Sequence, residues 1–218
     1  MNINRYFSFF IGIVFTIESI GQTVAVQEKE RYWTIGPILY SGSGGTYEPD
    51  FLPGLMLKRK LNTFTLRTSY EHHTYIDKKD EITCCDVITS EGYGKNHQLK
   101  LGVEKGVVLR QYFRPYLASE ITAMSSYFDQ TREGGIFFTR TRQKIYSKGF
   151  GFFQSAGLEI LINKKVSFAM ESGVSFMQTK SDVRIEDLLR SSAVKTSSNK
   201  QNHTDFYFLS VCVLNIHF

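Results

Sequence analysis

The feature that most constrains this chain is a period of two. From residue 32 onward, polar and apolar residues alternate in run after run, and each run ends in a connection rich in Gly, Asn, Asp, Ser or Lys. Alternation at that period puts successive side chains on opposite faces of a strand. Eight runs are read, at about 32–40, 51–58, 62–76, 96–104, 111–128, 145–162, 166–180 and 204–218. Beyond the N-terminal segment no helical period competes, except at 185–190, where one helical turn inside a loop is expected. The expected class is all-β. With 218 residues, 42% of them hydrophobic, the chain is sized for one folded domain.

The connections alternate in length. Long polar segments occupy 41–50, 77–95, 129–144 and 181–203, and short ones fall near 59–61, 105–110 and 163–165. In an up-and-down sheet this alternation collects every long connection at one end. A soluble sandwich has no reason for that arrangement, whereas transmembrane barrels combine long external loops with short periplasmic turns.

The two faces of the strands point the same way. Thr63, Thr65, Arg67, Ser69, Glu71 and His73 oppose Phe64, Leu66, Tyr70 and the more polar His72; Gln98, Lys100 and Glu104 oppose Leu99, Leu101 and Val103. Ser147, Gly149, Gly151, Ser155, Gly157 and Glu159 oppose Tyr146, Phe150, Phe152, Ala156, Leu158 and Ile160. Ser167, Ala169, Glu171, Gly173 and Ser175 oppose Phe168, Met170, Val174 and Phe176. One face is small or charged and the other bulky, which suits a barrel whose outside meets lipid and whose inside is polar. The expected fold is an eight-stranded antiparallel up-and-down transmembrane β-barrel.

The N-terminus reads as a secretory signal peptide: Arg5 in a short leading segment, an apolar stretch from Tyr6 to Ile17, then small residues at Ser19 and Gly21 or at Thr23 and Ala25. Residues 1–21 are assigned to the signal peptide, with cleavage as late as 25, and 22–218 to the barrel domain. Glu18 ends the apolar stretch short of the ~20 residues a spanning helix needs, and no later stretch comes close. Removing residues 1–21 takes away one Arg and one Glu, so the net charge of +5 is kept. A charge of that size without a Lys/Arg cluster argues against nucleic acid and suits anionic lipid headgroups. Three cysteines, of which Cys84 and Cys85 are adjacent, do not make a disulfide framework, and Cys212 reads as a small buried or lipid-facing residue. Neither a metal nor a cofactor is expected.

The last run places Phe206, Phe208, Cys212, Leu214, Ile216 and Phe218 on one face, Ser210 excepted. Here the sequence resembles small bacterial outer-membrane β-barrel proteins of the OmpA/OmpX-like type, and the stretch from Gly157 and Glu159 through Phe168, Glu171 and Gly173 looks like barrels of Bacteroidetes-type bacteria. The resemblance implies residence in the outer membrane, monomeric state, and a terminal Phe218 read by the barrel assembly machinery. It also brings in an alternative, since some barrels of this size modify lipid A. A deacylase of that kind needs a serine beside a histidine, and none of His72, His73, His97, His203 and His217 has a serine two residues away. His72 with Tyr70 is an exposed pair better explained as an interfacial polar belt.

The candidate site is therefore the lumen. Arg67, Glu71, Lys100, Glu104, Arg114, Glu120, Glu159 and Glu171 are expected to point inward and to pair, because eight strands leave little space beyond their own side chains and an unpaired buried charge is costly. Glu159 and Glu171 are expected as close neighbours across the turn at 163–165, where paired carboxylates could do acid–base work but shared pairing with a basic residue is the expected arrangement. The expected function is a structural or surface-interaction role in the cell envelope without catalysis, with a lipid-modifying enzyme or a gated small-solute channel as alternatives. Outer-membrane lipid and the assembly machinery are the partners. A surface ligand would be held by the loops at 77–95 and 181–203, or by the apolar bulk after Gly134 and Gly135.

Overall fold

A computed structural model describes residues 33–41, 50–61, 63–83, 86–109, 112–134, 139–189 and 194–218. The expected signal peptide, Cys84, Cys85 and residues 135–138 lie outside them.

Eight strands run in chain order: β1 (Trp33–Ser41), β2 (Asp50–Lys60), β3 (Thr65–Thr83), β4 (Asp86–Gly106), β5 (Phe113–Gly134), β6 (Thr139–Leu161), β7 (Val166–Asp187) and β8 (Val194–His217). Each pairs antiparallel with the next, and β1 pairs with β8 from Thr34↔His217 to Ser41↔Val211, so the sheet closes. Closure leaves no edge within the barrel wall, which a β-structure in lipid requires. At one end the connections are tight. Between β6 and β7 the Asn163 side chain accepts the backbone N–H groups of Lys165 (2.7 Å) and Val166 (2.9 Å), the local bonding that makes Asn a turn residue.

The surface is inverted relative to a soluble barrel. Leu55, Leu57, Leu66, Leu99, Leu101, Val103, Ile121, Phe150 and Phe176 are exposed on the outside, while Arg67, Glu71, Glu104, Glu120 and Glu171 are buried within. The inward set on β3, β4, β6 and β7 follows the alternation of the sequence, apart from Thr63, which lies exposed before β3 begins.

Three expectations are corrected. The segments 77–95, 129–144 and 181–203 are largely strand: pairing runs out to Thr83↔Asp86, Gly134↔Thr139 and Glu186↔Val194. A tilted spanning strand needs ~9–11 residues, so strands of 19–24 residues carry the sheet well past the apolar belt. These extensions mix polar and apolar residues on both faces, with Ile76, Ile82 and Val87 on the outer and Ile88, Ile145 and Val183 on the inner, which hides their period. The helical turn expected at 185–190 is absent from its described part, because Ile185 and Glu186 pair with Lys195 and Val194. Finally, the inner face of β6 is not uniformly small, since Phe153 is buried there.

Candidate functional site

Inward-facing positions on β3 to β7 bring all eight of the expected charged residues into one cluster. Arg67 on β3 sits at its centre. Its Nε donates to Glu120 Oε1 at 2.9 Å, its Nη1 lies 2.8 Å from Glu171 Oε1 and 3.3 Å from Glu104 Oε2, and its Nη2 donates to Glu171 Oε2 at 3.1 Å. Guanidinium geometry suits this role, because five N–H donors in a planar fork serve several carboxylates at once. Arg114 on β5 bridges Glu104 Oε1 (2.6 Å) and Glu159 Oε2 (2.8 Å), and Lys100 on β4 holds Glu71 Oε1 at 2.5 Å.

The sequence reading missed several members. Lys58 on β2 is 2.8 Å from Glu104 Oε2; the mixed pattern of 51–58, with Pro53, Gly54 and Met56 breaking the alternation, hid its face. Tyr116 donates to Glu171 Oε1 at 2.8 Å, and Ser155 donates to Glu171 Oε2 at 3.0 Å. The Tyr116 ring reaches that position by lying over Gly157, where an added Cβ would fall 2.3 Å from the ring. Lys58 and Lys100 also stand 5.0 and 5.1 Å from the ring centroids of Tyr116 and Phe153, close enough for cation–π attraction. Among the described residues, four permanent cations thus face five carboxylates, with His73 Nε2 and His217 Nε2 each 3.5 Å from one of those carboxylates.

Part of the lumen is apolar, which the alternation on β3 to β7 does not foretell. Ile38, Met56, Val211 and Val213 form a buried apolar cluster where β1, β2 and β8 meet, with Asn215 buried on β8 as well, and uncharged polar residues such as Ser69, Thr122, Ser175 and Thr179 occupy other inward positions. Glu159 and Glu171 do not form a carboxylate dyad. Glu171 is held by Arg67, Tyr116 and Ser155, and Glu159 by Arg114, Ser167 and Asn215.

One constellation escaped the rule used for serine and histidine. Ser167 Oγ lies 2.8 Å from His217 Nε2, because β7 and β8 are neighbours although the residues are far apart in sequence. The pair is not arranged for nucleophilic attack. Ser167 is fully buried and donates to the Glu159 carboxylate, while His217 Nδ1 faces the Thr34 hydroxyl at 2.9 Å rather than an orienting acid. At the outer surface Tyr70 and His72 both meet His97, at 2.7 and 3.2 Å. No group of three or more metal-ligating residues occurs among the described residues.

No protein-family model matches this sequence, and no curated protein matches it. Among solved structures, CarO of Acinetobacter baumannii is 13% identical over 87% of this chain and 98% of its own, with a TM-score of 0.45. A major outer membrane protein from Thermus thermophilus is 12% identical over 87% of this chain and 99% of its own, with a TM-score of 0.50. At that identity the second likeness speaks to fold alone, and what this chain shares with it is a closed antiparallel barrel of the outer-membrane type.

Proposed function

We propose that this protein resides in the outer membrane as a closed, non-conducting, non-enzymatic barrel that carries a rigid extension of its own strands beyond the bilayer. The observation that carries this reading is the inverted surface: apolar residues such as Leu101, 54% exposed, ring the outside, while Arg67, 3% exposed, is locked among three carboxylates inside. A water-filled pore would leave such groups hydrated and apart. Here they fill the lumen, and an eight-stranded interior has space for little else.

On this reading the barrel is a scaffold. Its partners are membrane lipid and, through Phe218, the assembly machinery, and any surface ligand is met by the strand extensions rather than by slack loops. Planar-bilayer recordings of the purified chain test the seal. The expected record shows no steady conductance, and a persistent current of porin size would overturn it.

A gated path is the second reading, and one feature favours it. Among the described residues, Glu120 Oε2, Ser69 Oγ and Thr122 Oγ1 are buried without hydrogen-bond partners, and lumen carboxylates outnumber permanent cations. Rare, small openings that disappear on Glu120→Gln would support that path over a permanent seal.

A further inference from the structure

Beyond the apolar belt, the extension mostly sets opposite charges against each other. Lys78 Nζ is 2.7 Å from Glu91 across β3 and β4, Arg142 is 2.7 Å from Asp129 across β5 and β6, and Arg140 Nε is 3.3 Å from Glu133. Arg184 Nε lies 2.9 Å from Glu186.

Lys144 also stands opposite Arg184, but Asp129 shares their row and Glu186 reaches both; one other like-charged row contains no carboxylate at all. Lys148 on β6 stands directly opposite Lys180 on β7, and Lys180 directly opposite Lys200 on β8. All three are exposed on the outer face. Followed the other way, the register adds Ser125, His97 and His72, so no carboxylate occurs in the row. Among the described residues the one carboxylate that approaches is Asp182, 3.8 Å from Lys180, and neither Lys148 nor Lys200 has an ion-pair partner. Like charges directly opposite one another destabilise a sheet. Within the described protein only Asp182 offsets the row, and only at Lys180.

Their height on the wall indicates what does. Lys148 is the outward residue immediately above Phe150, which is 62% exposed, and Lys180 lies two outward positions above Phe176. The headgroup layer adds about 5–7 Å to each face of the hydrocarbon core, and lysine stems lean readily along apolar surface to place the ammonium there. Two interstrand spacings put the outer lysines about 10 Å apart, a width that takes more than one phosphate group. The row faces sideways with hydrocarbon-facing aromatics below it, so a ligand with both acyl chains and phosphates fits it better than a free anion.

We infer that Lys148, Lys180 and Lys200 form a docking site for the phosphorylated headgroup of an outer-leaflet glycolipid of the diphosphorylated lipid A kind. The inference rests on the membrane-barrel reading. The lipid supplies the negative charge that the row itself lacks.

The test is a titration of fluorescent diphosphorylated lipid A into the full chain folded in phosphatidylcholine vesicles. Wild type is compared with a Lys148→Gln/Lys180→Gln/Lys200→Gln variant and with a charge-matched control, Lys79→Gln/Lys164→Gln/Lys195→Gln. Each lysine near an anionic surface is worth roughly fivefold in binding, so the row variant should lose on the order of a hundredfold while the control keeps wild-type affinity. Equal losses in both variants would mean diffuse attraction, and no loss in the row variant would remove the site; either overturns the inference. Displacement of the lipid by inorganic phosphate alone would also overturn it, by making the ligand a free anion. Heat-modifiable migration is read on every sample. A wild-type chain that fails to insert into neutral lipid contradicts the membrane reading itself, whereas insertion with indifferent lysines contradicts only the site.

Discussion

Replacing Arg67 by Met is the sharpest perturbation of the lumen, and its cost can be apportioned from the contacts. The three carboxylates around Arg67 are not equally dependent on it. Glu104 keeps Lys58 and Arg114, and Glu171 keeps Tyr116 and Ser155. Among the described residues, Glu120 has no other hydrogen-bonding partner, since its Oε1 takes Arg67 Nε at 2.9 Å and its Oε2 takes nothing. Removing one member of a buried pair costs about 3–5 kcal/mol because the other charge stays behind. That penalty should therefore fall mainly on Glu120. Glu120→Leu alone should cost less, about 1–3 kcal/mol, since Arg67 retains Glu104 and Glu171. The double variant should recover much of the Arg67→Met loss, because a buried pair exchanged for apolar groups is often near neutral. Equilibrium urea unfolding in phosphatidylcholine vesicles measures all four corners of the cycle. A coupling of about 2 kcal/mol or more is expected; additive single effects, or an Arg67→Met cost under about 1 kcal/mol, would refute the pairing scheme.

Other outcomes follow from the same geometry. Leu101→Arg, at the centre of the outward run on β4, should cost about 2–4 kcal/mol in the same unfolding assay, whereas Phe168→Arg, two residues from the start of β7, should cost under about 1 kcal/mol because the penalty fades towards the interface. Outside the membrane, the Arg142 hydrogen bond holds the Asp129 carboxyl below its ordinary range. A depressed folded-state value adds stability that is present above the unfolded value of ~3.9 and lost as pH falls through the folded one, so protease nicking of the β5–β6 extension should rise only in acid, and Asp129→Asn should abolish that dependence. Excising 182–198, whose ends Asp182 and Ser198 pair directly, should leave heat-modifiable migration on a gel intact. Loss of that migration would mean the extension belongs to the folding core. Deleting Phe218 should instead impair assembly in cells, measured as the fraction of folded chain in the membrane.

The barrel was legible because lipid on one side and a packed lumen on the other impose a strict alternation, and β3, β4, β6 and β7 keep it through the belt. Arg67, Lys100, Glu104, Glu159 and Glu171 could be assigned inward for that reason alone. Lys58 could not, because Pro53, Gly54 and Met56 blur the period on β2. The apolar cluster in the lumen is hidden by the same ambiguity: Val211 and Val213 alternate with Cys212 and Leu214, and two apolar faces carry no contrast. In the strand extensions, solvent on both faces removes the selection for alternation, so their sequence reads as loop. Their pairing depends on register inherited from the barrel below. Cross-strand constellations such as Ser167 with His217, or the lysine row, are set by that register and have no signature in local spacing.

The central claim is that this barrel wears its apolar residues outward, towards lipid. Single cysteines placed along β3 and β4, at Leu66, Thr68, Tyr70, Leu99 and Leu101 on one face and Ser69, Gln98 and Lys100 on the other, can carry a fluorophore in a chain whose native cysteines are replaced by serine. Quenching by brominated lipid chains then reports which face meets the hydrocarbon. The account predicts strong quenching at the first set and little at the second, alternating residue by residue. Quenching without alternation, or strongest at Ser69 and Lys100, would contradict it.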